Sequence, residues 1–122
     1  MQLGAFSISL DVKDIKVSAT FYKQLGFLPI GGNIDDKWLI LKNEDAVIGL
    51  FEGMFQGHIL TFNPGWNQAG EHLEQFLDVR KIKEHLDIYG ISATAHIDTP
   101  TGPGYITLKD PDGNAILIDQ HR

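Results

Sequence analysis

"LDVKDIK", Leu10 to Lys16, and "LDVRKIK", Leu77 to Lys83, agree at five of seven positions across an offset of 67 residues. A second, separate match, Leu41–Lys42 with Leu108–Lys109, falls at the same offset. Gly26 and Gly90 close the helical patterns between these matches at an offset of 64. The second helix is therefore expected to be about three residues shorter, with a later loop restoring the register. Two separated matches at one offset mark an internal duplication.

The flanking patterns say what is duplicated. "AFSISLDV" sets Phe6, Ile8, Leu10 and Val12 on one face and Ser7, Ser9 and Asp11 on the other, the alternation of a half-buried strand. Asp14 is placed to cap a helix whose Ile15, Ala19, Tyr22 and Leu25 form one stripe, and Gly26 suits its end. Strands are predicted at Phe27–Ile30, Trp38–Lys42 and Ala46–Glu52, with "GGNIDD" and "NED" as turns. "ILTFN" reads as a further strand and "PGWNQAGEH" as a connector.

The second half then starts as the first did. "LEQFLDV" alternates as a strand, and "RKIKEHLDIYG" places Ile82, Leu86 and Tyr89 on one helical face. Strands follow near Ile91–His96, Tyr105–Lys109 and Ala115–Asp119. The predicted fold class is α+β: two tandem βαβββ modules forming curved mixed sheets around a shared cleft. Module 1 spans about 1–62, a connector about 63–71 and module 2 about 72–122, within a single domain.

"DPDGN", Asp110 to Asn114, begins like a calcium loop, with Asp110, Asp112 and Asn114 at alternate positions. Such a loop needs glycine at its sixth position and a bidentate acid at its twelfth. Ala115 and His121 stand there, so the segment is read as a turn joining two strands.

Composition narrows the partners. A chain of 122 residues, 43% apolar, reads as one compact globular unit, or two very small ones sharing a core. A net charge of −6 and a pI near 5.2 argue against nucleic acid, whose phosphates need a basic patch. No apolar run approaches membrane-spanning length, and "MQLGAFSISLDV" lacks the basic and apolar regions of an export signal. The chain has no cysteine, which excludes disulfides, thiolate zinc sites and a cysteine nucleophile and suits the cytoplasm. The expectation is a cytoplasmic protein acting on something small.

"SISLDVKDIKVSATFYKQLGF", followed by "FLDVRKIKEHLDIYGI" and "YITLKDPDGNAILIDQ", resembles the vicinal oxygen chelate superfamily over nearly the whole chain. That group includes glyoxalase I, bleomycin-resistance proteins, fosfomycin-resistance enzymes and extradiol dioxygenases. One scaffold hosts many activities, so the resemblance implies a fold more than a function. It also implies a homodimer and a divalent metal held by side chains of both modules. Carried over position by position, the ligands would fall at Ser7, at Gly49 or Leu50, at Glu74 and at Leu117. A divalent ion needs several nitrogen or oxygen donors, and only Glu74 is a good one. The expected cofactor is therefore none, with a divalent metal as the alternative.

His72 and Glu74, two apart on a predicted strand, form a weak alternative ligand pair. Glu52, at a strand end, reads as a solvated terminus. The strand pattern gives Ser7, Ser9, Trp38, Phe51, Glu74, Phe76, Tyr105, Thr107 and Leu117 as ligand-binding candidates, Trp38 with its facing unresolved. Aromatic walls with a few polar groups suit a small organic ligand, and the negative charge favours a cationic one. Catalytic residues are not assigned. Three functions compete: a metal-free small-molecule-binding protein, a glyoxalase-like lyase or isomerase with non-standard ligands, and a non-catalytic dimer module.

Overall fold

The computed structural model describes all 122 residues. It divides into two compact units, Ser7–Ile59 and Met1–Phe6 with Leu60–Arg122, here called the first and second modules.

The first module contains most of β1 (Ala5–Val12), then α1 (Ile15–Gln24), β2 (Leu28–Asn33), β3 (Trp38–Asn43) and β4 (Ala46–Glu52). Its strands lie in the order β2-β3-β4-β1, with β4 parallel to β1 and antiparallel to β3. The Asp14 carboxylate accepts the N–H groups of Lys16 and Val17 at 3.1 and 3.3 Å, the capping its position predicts. Ile15 and Ala19 of α1 pack against Leu39, Leu41, Ile48 and Leu50. Those strand residues are alternate ones, so the residues between them face away from the helix.

The second module repeats the plan with β5 (Ile59–Asn63), α2 (Val79–Ile88), β6 (Ala93–His96), β7 (Gly104–Lys109) and β8 (Ala115–Gln120), in the order β5-β8-β7-β6. Val79, Ile82 and Leu86 of α2 pack against Ile106 and Ile118. The α+β class and the doubled βαβββ unit are those expected.

Four details differ from expectation. β2 runs on through Gly31, Gly32 and Asn33, paired with β3, where the pattern predicts a turn. "LEQFLDV" forms no strand. An isolated bridge, Trp66 with His72, lies just before it, and Leu73 N–H donates to Gly65 O at 2.9 Å. The first strand of the second module is instead "ILTFN", beside β8 as β1 lies beside β4. The division falls between Ile59 and Leu60, and residues 63–71 belong to the second module rather than standing between the two.

The helices, finally, are equal at ten residues each. They correspond at an offset of 64 throughout: Asp14 with Asp78 as caps, Ile15 with Val79 as first residues, Gln24 with Ile88 as last. The heptapeptide match at 67 therefore sets strand residue Asp11 against helix cap Asp78. The duplication is real, but those seven letters are not its structural register.

Gly4 (φ +80°) has a positional reason. A Cβ there would lie 1.9 Å from Asn63 O. The close approach lets Ala5 N–H donate to Trp66 O at 2.9 Å, and lets the Gln68 carboxamide bridge the N–H and C=O of Phe6 at 2.7 and 2.8 Å. No helix is long and apolar enough to cross a membrane.

Candidate functional site

In the first module Ser7, Ser9, Trp38 and Phe51 all fall on the sheet face turned away from α1. The register pairs Ser9 with Gly49, Trp38 with Phe51, and Asp11 with Phe51. The facing of Trp38, unresolved in sequence, follows from that pairing. Its ring is nearly parallel to that of Phe51, at 10° and 6.4 Å between centroids, and Phe55 adds a tilted ring 5.3 Å from Phe51. Phe55 was not expected here, because it lies beyond the strand and no periodicity marks it. Asp11 is committed to the same region: its carboxylate accepts Gly57 N–H at 3.1 Å, and its own N–H donates to His58 Nδ1 at 3.3 Å.

In the second module Tyr105, Thr107 and Leu117 lie on the face opposite α2, with Tyr105 beside Asp119 and Thr107 beside Leu117. Glu74 and Phe76 lie outside the sheet. Glu74 is exposed on a bend, and Phe76 carries the Arg122 guanidinium 4.9 Å above its ring. Phe76 thus packs the segment before α2 instead of forming a wall of a strand.

The weak metal pair also changes. His72 stacks on Trp66 at 4° and 6.0 Å, and since the segment is no strand, two-residue spacing does not put it on one face with Glu74. Trp66 also meets the ring of His121 at 5.1 Å. No spacing in the sequence marks this contact of His121, because Trp66 is distant in the chain.

The donor set for an inherited divalent metal does not fit. At Gly49 the space a side chain would take is filled: a Cβ there would lie 2.6 Å from Cε2 of Phe51. Leu50 is wholly buried in the core and Leu117 is hydrocarbon. No three His, Asp or Glu side chains gather closely enough to hold an ion.

Glu52 is not a free strand end. Its Oε1 accepts Ile15 N–H at 2.9 Å, and Oε2 pairs with Lys37 at 3.1 Å. The Ile15 hydrogen bond, then Lys37, holds its carboxyl below the usual range. For Asp78, burial pushes the pKa up, but hydrogen bonds from Arg80 and Gln120 outweigh it, and the net direction is down. Asp110 is lowered by Asn114, whose side chain and backbone both donate to it at 2.7 and 2.8 Å. With Gly113 at φ +87°, "DPDGN" is the expected turn. His121 is shifted the other way: the Asp119 carboxylate 2.9 Å from Nε2 raises it.

Neither a protein-family model nor a curated protein matches the chain. Solved structures do match. A glyoxalase/bleomycin resistance protein/dioxygenase superfamily member from Vibrio splendidus 12B01 aligns over 94% of this chain and 97% of its own, with TM-score 0.64 and 15% identity. An extradiol ring-cleaving dioxygenase from B. fuscum aligns over 97% of this chain, with TM-score 0.56 and 16% identity. The fold is that of the vicinal oxygen chelate proteins. A Legionella pneumophila protein described as an NAD-dependent benzaldehyde dehydrogenase shares the fold over 96% of this chain and 99% of its own, with TM-score 0.66 and 17% identity. The present chain spans only 32% of the dioxygenase. At these identities the likeness is one of vicinal oxygen chelate fold and not of activity.

Proposed function

We propose that this vicinal oxygen chelate protein binds a small, flat organic molecule on the first module's sheet face and holds it without a divalent metal. The observation that carries the reading is the near-parallel Trp38–Phe51 pair, at 10° and flanked by Phe55. Stacking on each ring contributes about 0.5–1.5 kcal/mol beyond area burial. The net charge of −6 favours a cationic ligand over an anionic one.

The test is fluorescence titration of a Trp66→Phe variant, leaving Trp38 as the only indole, against a panel of flat cationic, neutral and anionic compounds. Saturable quenching by a cation, weakened by Phe51→Leu, supports the reading. A panel without effect on Trp38, or binding indifferent to Phe51→Leu, sinks it.

A homodimer resident in the cytoplasm belongs to the same proposal. Val17 and Phe21 of α1 and Leu25 at its C-terminal cap, spaced four residues apart, are each more than half exposed, which supports pairing; the absence of cysteine suits a reducing compartment. Light scattering that returns a monomer mass at micromolar concentration would remove the dimer.

A further inference from the structure

The end of the second module's sheet carries a feature that shares no residue with the Trp38–Phe51 face. His96 closes β6, Tyr105 is second in β7 and Asp119 is next to last in β8, and the strand register sets them in a row, His96 beside Tyr105 and Tyr105 beside Asp119. The His96 imidazole stacks on the Tyr105 ring at 4.4 Å and 15°. With Asp98, Pro103, Gly104, Gln120 and His121 these residues line an open depression of about 450 Å³. That volume is in the range of small-ligand sites.

The lining decides the ligand class. The Gln120 carboxamide is committed to Val79, Asp78 and Gly102. One Asp119 oxygen is committed to His121. This leaves the second Asp119 oxygen, the Asp98 carboxylate, which forms no ion pair, and the Tyr105 ring, 40% exposed. No lysine or arginine lines the depression. An anion would meet two carboxylates, and a neutral apolar body would leave them unmatched. An ammonium group matches both, and a flat body attached to it has the Tyr105 ring to lie against.

We propose that this depression binds a small organic cation, an ammonium group carried on an aromatic body. The proposal stands or falls independently of the first-module reading.

The experiment is an amide NMR titration of the whole chain with benzylammonium at constant, mildly alkaline pH. Phenylacetate and benzyl alcohol serve as anionic and neutral controls of the same shape. Saturable shifts centred on His96–Asp98, Gly104–Tyr105 and Asp119–His121 are expected for benzylammonium alone. Asp98→Asn should weaken binding about three- to fivefold, the value of one exposed ion pair. Asp98 is exposed and outside every strand, so this variant keeps the fold. Tyr105→Leu should weaken it by a similar factor of about three. No shifts, shifts centred elsewhere, or an equal response to phenylacetate or benzyl alcohol would overturn the assignment.

Discussion

Glu52 and Gln120 hold the same place in the two modules. Oε1 of Glu52 accepts the N–H of Ile15 at 2.9 Å, and Oε1 of Gln120 accepts the N–H of Val79 at 2.7 Å. Each acceptor is the last residue of its module's last strand, and each donor is the first residue of its helix. A helix start has four N–H groups without intrahelical partners, and the aspartate cap and this strand-end oxygen satisfy different ones. The strand that closes each module therefore also fixes where its helix begins.

The two positions are not interchangeable. Gln120 is 1% exposed, and its Nε2 donates to Asp78 Oδ2 at 3.1 Å and Gly102 O at 3.0 Å. Gln120→Glu would remove that donor and set a second carboxylate against Asp78. We expect a loss of about 1–3 kcal/mol or more, the cost of leaving buried polar groups unsatisfied. Urea denaturation at neutral pH reads it, and a variant as stable as the parent would refute the assigned role. Glu52→Gln, which keeps Oε1, should fold normally.

Glu52 also gives a signed dependence on acid. A carboxylate whose folded-state pKa lies below its ordinary 4.5 contributes stability that is present above that value and lost as pH falls through the lowered one. Melting temperature followed from neutral pH into acid should fall less steeply for Glu52→Gln than for the parent chain. Asp78 and Asp110, also lowered, keep part of the acid sensitivity in both. Superimposable curves would mean that Glu52 is not linked to folding.

Gly49 offers a steric test of the first-module face. Its missing side chain is what lets the Phe51 ring lie where it does, 2.6 Å from any added Cβ. Gly49→Ala should destabilise by about 1–3 kcal/mol through overpacking. Adding Phe51→Leu should recover part of that loss, giving a coupling between the two sites in a double-mutant cycle. Additive effects would show that the ring moves aside without cost.

Much of this was legible in the sequence, and the misses share a cause. Period-two alternation and aspartate capping are local signals, and they located β1, β3, β4, β7, β8 and the start of α1 to within a residue or two. What failed depended on partners distant in the chain. "ILTFN" was recognised as a strand, but only its place beside β8 reveals that it opens the second module. "LEQFLDV" alternates, yet its hydrogen bonds go to the loop around Gly65 and not to a ladder. Tyr105, Thr107 and Leu117 share a face because parity is local. His121 and Phe55 matter through ring contacts that no spacing rule reaches.

His121 predicts a second pH limb of opposite sign. Asp119 raises its pKa above the ordinary 6.5, so its contribution is fully present below that value and is lost as pH rises through the raised one. The groups against it are Asp119 on its own strand end and the Trp66 ring from the loop after β5. Imidazole proton shifts followed over about pH 5 to 8 should give a midpoint above that of a free histidine. Asp119→Asn should return the midpoint toward 6.5. A midpoint unmoved by that substitution would reject the pairing.

Arg122 supplies the last test, because it holds the segment that sequence reading took for a strand. Its Nη2 donates to Gly65 O at 3.0 Å and also to Leu73 O, while the guanidinium covers the Phe76 ring at 4.9 Å. These contacts bind both ends of the loop that carries Trp66 and His72, so losing them should loosen the loop and spare the sheet. Arg122→Ala is expected to speed amide hydrogen exchange at Trp66, Asn67, Gly70 and Leu73, all of which donate backbone hydrogen bonds within or beside that loop. Exchange in β7 and β8 should change little. Arg122→Lys keeps the charge but loses the planar guanidinium, and should restore only part of the protection. Uniform acceleration across the module would mean that Arg122 supports global stability and not this loop.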